Sequence, residues 1–320
     1  MNRKIYVFLG PTGVGKTDLI FKFLNNKETK FEVISVDSRQ VYQSLSIGTA
    51  APSKEVLAKI PHHLVQILSP RKTFSAGEFV KKAHELIPQI WMRNRIPLLC
   101  GGTGFYFKAL RTGMFLLDED EEKKIEIRKY LSNYTPEEKR NLLQKIDPES
   151  FVSNSEIPRE GKIHQNDDYR IQRSLELYFL TGMTLQQHYQ KRKSQSHQNQ
   201  WKFEGIIYFP DTSEWHQRLK QRAEKMVNEG FIKEALELFE NFPEAPAINT
   251  PGYKEAYELY KKYSHEINEE RFYPIIQELI YHAHKRYGKK QITWFRKENT
   301  LKHVNYEQAI EFLKYIELNS

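Results

Sequence analysis

Apolar runs alternate with stretches of helical periodicity through the first hundred residues. Ile5 to Leu9, Phe31 to Val36 and Ile96 to Cys100 are short and largely apolar, the pattern of strands covered on both faces. Between them, Asp18 to Leu24 and Ala76 to Met92 repeat at the helical period. Strand, helix, strand, helix, strand predicts a parallel α/β sheet. Right-handed crossovers then set Gly10, Asp37 and Gly101, which follow the three runs, along one sheet edge, where ligands of open α/β sheets bind.

From about residue 117 the texture changes. A charge-laced helical pattern opening with DEDEEKK continues to 190, and the polar segment KRKSQSHQNQ at 191–200 predicts an exposed loop. Phe203 to Phe209 resumes as a strand. The economical organisation is an α/β core made of 1–116 and 201–320, carrying a helical insertion at 117–190. Helices follow the last strand: one capped by Ser213 and reaching Gly230, others starting near Gly252 and Asn268, and one over Tyr306 to Leu318.

Composition narrows the class. In 320 residues, 49 Lys and Arg against 41 Asp and Glu leave a net charge of +8, and 39% hydrophobic residues suffice for a packed core. No run of 18 apolar residues predicts a membrane span, and the five apolar positions after Arg3 and Lys4 are too few for a secretory signal. The single cysteine, Cys100, excludes an internal disulfide framework and a cysteine-rich zinc site, and its place at a strand end predicts a core thiol. A cytoplasmic protein, soluble and monomeric, is expected.

The first sheet-edge loop carries a specific signal. Gly10 to Thr17 reads GPTGVGKT, which fits G-x-x-x-x-G-K-[ST] at every fixed position and lies between a predicted strand and helix. Glycines let successive N–H groups and the helix N-terminus point at anionic oxygens, Lys16 supplies a charge, and Thr17 can hold Mg²⁺. A di- or triphosphate is the expected ligand of Gly10, Thr12, Gly13, Val14, Gly15, Lys16 and Thr17. The third run, however, ends in GGTG rather than in an acidic Mg²⁺ partner, which disfavours hydrolysis as the purpose. Asp37, in SVDSRQVY, is the nearest acid by topology; it suits a proton acceptor, a Mg²⁺ partner through water, or simply a turn former.

The blocks GPTGVGKT, SVDSRQVY followed by IGTAAPS, PHHL, FSAGEF, IPLLCGGTGFYFKAL and KKQITWFR, in this order across almost the whole chain, resemble the tRNA dimethylallyltransferase family in its bacterial form. The resemblance implies a fold like that of phosphate-loop NTPases with an inserted all-helical domain and a helical C-terminal part. It also implies transfer of a dimethylallyl group from dimethylallyl diphosphate to the exocyclic amine of the adenosine 3′ of the tRNA anticodon. By that resemblance Asp37 contacts the amine and acts as its base, Thr103 lies at the same centre, and Arg218 in HQRLKQR faces the diphosphate, with Arg222 on the same helical face. Ser38, Arg39 and Gln40 would face tRNA, as would the insertion block Tyr169, Arg170, Ile171, Gln172 and Arg173. Mg²⁺ is the implied cofactor.

Between Tyr281 and Lys302, seven cations including Lys289, Lys290 and Arg296 stand against Glu298 alone, and Tyr287, Trp294 and Phe295 are interleaved with them. That pattern suits an RNA surface, or equally a solvated helix face beside packed aromatics. His62 and His63 have no third ligand in view, and adjacent residues on a strand point apart, so a metal site is not expected there. Two departures stand out. Asn249 and Pro251 occupy the segment where the family usually carries an arginine before its Gly-Tyr pair, and Gly104 stands where a larger residue is common. From the residues alone, an ATP-dependent small-molecule kinase, an isopentenyltransferase acting on free adenine nucleotides and a non-catalytic RNA-binding module remain alternatives. The first and third leave the basic tail or the intact Lys16 and Thr17 unexplained; the helical insertion argues against the second.

Overall fold

A computed structural model describes residues 4–24, 29–113, 121–152, 162–195 and 201–320. They form two compact units, one of residues 1–111 with 201–320 and one of 112–200.

The first unit is built on six strands: β1 (Lys4–Leu9), β2 (Phe31–Val36), β3 (His62–His63), β4 (Ile96–Gly101), β5 (Lys202–Tyr208) and β6 (Lys302–Val304). Their order is β3-β2-β4-β1-β5-β6 and every pairing is parallel. Such a sheet needs both faces covered, and β1 and β2 present apolar residues to both: Ile5, Val7, Phe8, Leu9, Ile34 and Val36 are all buried to the last square ångström. The two edge strands, β3 and β6, are two and three residues long, too short for any periodicity to reveal. β3 is fastened by chemistry instead. His63 Nε2 meets Glu32 at 2.7 Å, and Arg93 donates to both oxygens of that buried carboxylate at 3.0 and 2.7 Å. His63 thus serves an ion-pair network while His62 Nδ1 bonds to the Ile60 carbonyl at 2.7 Å, and among the described residues no group of three His, Cys, Asp or Glu is arranged to hold a metal.

Two helix starts differ from the sequence expectation. The helix expected to begin with a Ser213 cap is capped by Asp211, whose Oδ1 accepts from the N–H groups of Ser213 and Glu214 at 2.8 and 3.1 Å, and it covers Thr212–Asn228. A carboxylate there also complements the positive end of the helix. The helix expected near Asn268 starts at Tyr273, after two 3₁₀ turns; Pro274 sits in its first turn, where no N–H is missed.

The second unit contains the helices Glu121–Ser132, Pro136–Ile146, Asp168–Thr181 and Leu185–Gln195. Leu131, Leu143, Ile163, Ile171 and Leu175 form its core. The expected loop at 191–200 is therefore corrected over 191–195, where the last helix continues. Polar composition misleads there because Gln, Lys and Arg are good helix formers. The opening of the charged stretch at 117–120 and the tail at 196–200 lie outside the described residues. Among the described residues, no helix is long and apolar enough to cross a membrane.

Candidate active site at the strand ends

The register brings the three expected edge positions together. Gly101, the last residue of β4, is opposite Leu9 on one side and Val36 on the other, so Gly10 and Asp37 flank the Gly101–Thr103 turn. Gly10 N–H donates to the Gly101 carbonyl at 3.2 Å and Thr103 N–H to the Val36 carbonyl at 3.0 Å. A Cβ on Gly101 would lie 2.1 Å from the Val36 oxygen, so only glycine permits this close approach.

The phosphate loop leads directly into the helix Lys16–Leu24, with Gly13 and Gly15 in left-handed conformations at φ 78° and 82°. Lys16 Nζ curls back onto the carbonyls of Gly10 and Pro11, 2.8 Å from each. Burial lowers its ammonium below the usual lysine value and the nearby Arg222 charge adds to this, while Cys100 and Asp37 oppose it. The Val14 side chain is wholly buried, leaving only its main chain for a ligand. Thr12 departs from expectation: its N–H donates to Gln291 Oε1 and its carbonyl accepts from Trp215 Nε1, both at 2.8 Å. Its main chain is thereby committed to the protein, and an anion is left to the amides from Gly13 onward.

Asp37 is both turn former and candidate base. Oδ1 accepts from Arg39 N–H at 2.7 Å and Gln40 N–H at 3.2 Å, an Asx-type arrangement that fixes the loop after β2. Among the described residues no hydrogen bond occupies its Oδ2. Thr103 Oγ1 accepts from Ser38 N–H at 3.1 Å, tying the Gly-Gly-Thr turn to the Asp37 loop. Burial raises the Tyr287 phenol, and the neighbouring Asp37 charge adds to this, while Arg39 and the hydroxyls of Thr103 and Ser38 oppose it. Gln40 is turned to the protein: its Oε1 accepts from Ser35 at 3.2 Å and its amide donates to the Ala50 carbonyl at 3.0 Å.

Two arginines complete the electrostatics. Arg218 Nη1 is 2.9 Å from the position of a Cβ on Gly15, so its guanidinium rests on the phosphate loop, and it also pairs with Glu214 at 2.7 Å. Arg222, one turn on, is lowered to about 10 by burial, with Asp37 and then Asp18 opposing. The Nε atoms of Arg222 and of Arg39 are buried without a partner among the described residues, as donors at a ligand site are. Cys100 lies beneath the turn, and burial pushes its thiol up to about 12, which keeps it protonated.

A family model described as IPP transferase matches residues 40–298. The chain belongs to the IPP transferase family. It is 35% identical over 99% of its length to the whole of a Leptospira interrogans protein named tRNA dimethylallyltransferase. It resembles the crystal structure of a Bacillus halodurans tRNA isopentenylpyrophosphate transferase, with a TM-score of 0.64 and 30% identity, covering 99% of this chain and 97% of that one. A eukaryotic dimethylallyltransferase crystallised acting on tRNA shares the fold, with a TM-score of 0.72 at 24% identity over 95% of this chain and 74% of that one.

Within this IPP transferase, several residues escape sequence reasoning. Gln291 is the foremost: besides holding Thr12 it donates from Nε2 to the Gly102 carbonyl at 2.8 Å, so one amide joins the phosphate loop to the Gly-Gly-Thr turn. Its place in KKQITWFR was the available signal, but only the fold reveals its two partners. Glu234 likewise gathers the N–H groups of Ser46, Ile47 and Gly48, holding the IGTAAPS segment. The unusual Gly104 is explained by Trp294, whose ring would meet a Cβ there at 2.1 Å.

The basic tail divides. Lys285 sits over the Tyr281 ring and Arg286 pairs with Glu255 at 2.7 Å, while Phe295 is wholly buried. Lys289, Lys290 and Arg296 are exposed, and no carboxylate pairs with them among the described residues.

In the second unit, Tyr169 is 76% exposed, Arg170 pairs with Asp167 at 3.2 Å, and Arg173 pairs with Glu176. Gln172 is engaged between Lys139 and Glu176 at 3.2 and 3.1 Å. Ile171 corrects the expectation of an RNA contact, for it is 1% exposed in that unit's core. Ile171→Ala is accordingly expected to destabilise this unit by about 2–5 kcal/mol in chemical denaturation, the cost of a cavity. A weakened tRNA affinity without lost stability would show instead that Ile171 touches RNA.

Proposed function

We propose that this chain, acting as a cytoplasmic monomer, transfers a dimethylallyl group from dimethylallyl diphosphate to the exocyclic amine of the adenosine 3′ of the tRNA anticodon. The observation that carries the reading is the convergence of Lys16, Arg218 and Arg222 with the single carboxylate of Asp37 at three adjacent strand ends. The names of its relatives supply tRNA and the dimethylallyl group, and the resemblance of the motif blocks implies the adenosine amine.

An adenine amine is a weak nucleophile, since its lone pair is delocalised into the ring, so catalysis rests chiefly on helping the allylic C–O bond break. Lys16, the amides from Gly13 to Thr17, Arg218 and Arg222 neutralise the charge that grows on the departing diphosphate, which is usually the largest catalytic term. The new C–N bond forms as the C–O bond breaks, the electron pair leaves on the diphosphate oxygen, and Asp37 takes the proton from the amine. Thr17 Oγ1 would hold Mg²⁺: it is a hard oxygen, and an ion that keeps most of its waters and takes phosphate oxygens needs few protein ligands. When bound, it supplies further charge neutralisation at the diphosphate. A stacked base does not reach the strand ends, so the target adenine is extruded from the loop stack, as single-stranded RNA permits.

Incubation with unmodified tRNA, Mg²⁺ and either dimethylallyl diphosphate or ATP, followed by mass analysis of the nucleosides, tests the reading. One five-carbon unit gained on adenosine supports it; phosphate transfer from ATP, or alkylation of free AMP in preference to tRNA, refutes it. The exposed Lys289 and Lys290 give a second measurement. Replacing both by Gln is expected to flatten the log–log salt dependence of tRNA affinity by roughly 0.7 per lost phosphate contact. An unchanged slope would remove this surface from the RNA.

A further inference from the structure

The residue following Gly104 is Phe105, and its side chain is 53% exposed. It belongs to the first turn of the helix Gly104–Thr112, two residues beyond Thr103, whose hydroxyl holds the Asp37 loop through Ser38 N–H. Exposing a phenyl ring beside a candidate reacting centre costs solvation that a purely structural residue avoids, and its helix neighbours Tyr106 and Phe107 are buried. No aromatic ring partners Phe105 among the described residues. On the other side of Gly104 stands Trp294, half-buried, with its benzo edge occupying the place of a residue-104 side chain. Lys289, Lys290, Arg296 and Lys297 are exposed and lie within five residues of Trp294 in sequence, with no carboxylate partner among the described residues.

Aromatic faces interleaved with unpaired cations suit one class of ligand, unpaired nucleobases on a phosphate backbone. We propose that Phe105, together with Trp294, is a stacking platform for the nucleobase next to the target adenosine in the anticodon loop. The proposal rests on the tRNA reading above and adds a site to it. Extruding one adenine breaks its stacking with both neighbours, and an exposed ring beside the reacting centre restores part of that loss. The same contact would hold the loop open while the amine is at Asp37. Gly104 is integral to the arrangement, because a larger side chain there would drive the indole away.

The test uses the full chain and anticodon stem-loop RNAs, either intact or abasic at one of the two nucleotides flanking the target. Phe105→Ala is expected to raise KM for the intact stem-loop about 5- to 150-fold, the range for one lost base–aromatic stack. KM for dimethylallyl diphosphate should not change, and Phe105→Tyr should restore the wild-type value. With one of the abasic RNAs the wild type should show a similar loss and Phe105→Ala no further one. Equal KM for Phe105→Ala and wild type on intact RNA overturns the proposal, as does a full additional loss on both abasic RNAs. Because Phe105 is exposed, an unchanged melting temperature checks that the variant folds. Wild-type failure to alkylate any stem-loop would instead strike the tRNA reading itself, and the platform with it.

Discussion

Replacing Asp37 by Asn is expected to slow dimethylallyl transfer by about 10² to 10⁴ in single-turnover kinetics, the worth of a positioned general base. Asparagine is the informative choice. Asp37 Oδ1 accepts from the amides of Arg39 and Gln40, and an amide oxygen keeps both bonds, so the loop survives while the proton acceptor is lost. Alanine would remove the turn as well and confound the two roles. Diphosphate affinity should be unchanged or tighter, because Asp37 is the negative charge that faces both Lys16 and Arg222. A wild-type rate in Asp37→Asn would leave the carboxylate with only its turn-forming role.

Lys16→Ala is expected to weaken diphosphate binding by about 3 kcal/mol, roughly a hundredfold or more, with tRNA affinity preserved. Titration calorimetry with inorganic diphosphate and Mg²⁺ measures the first quantity and an RNA binding isotherm the second. Since Lys16 also bonds the Gly10 and Pro11 carbonyls, thermal melting must accompany the titration. In the wild type the sign of the pH effect follows from burial: the ammonium loses its proton at lower pH than an ordinary lysine, so diphosphate affinity should begin to fall earlier on the alkaline side. Tight diphosphate binding by the folded Lys16→Ala protein would contradict the cradle.

The framework of the site was legible because it depends on local patterns. Largely apolar runs announced β1, β2 and β4, and parallel crossover geometry then required Gly10, Asp37 and Gly101 to share an edge. Residues whose value lies in long-range pairing were invisible. Gln291 reaches Thr12 across 279 positions of chain and Glu234 gathers a helix start 187 positions away, and no local pattern names either partner. Ile171 shows the converse: its motif position implies a contact, and only burial says that its side chain faces the core.

By itself the sequence determined the α/β class, the phosphate loop, the placement of Gly10, Asp37 and Gly101 along one sheet edge, and the likeness to a tRNA-modifying family. These follow from periodicity and from short motifs whose chemistry is carried by adjacent residues. Only the tertiary structure decided that the Thr12 main chain is taken by Gln291 and Trp215, that Arg222 is buried near Lys16 and Asp37, that Gly104 makes room for an indole, and that Phe105 is left exposed. Each of those depends on which side chains meet after the helices fold back over the sheet edge, a matter of packing that no local pattern encodes.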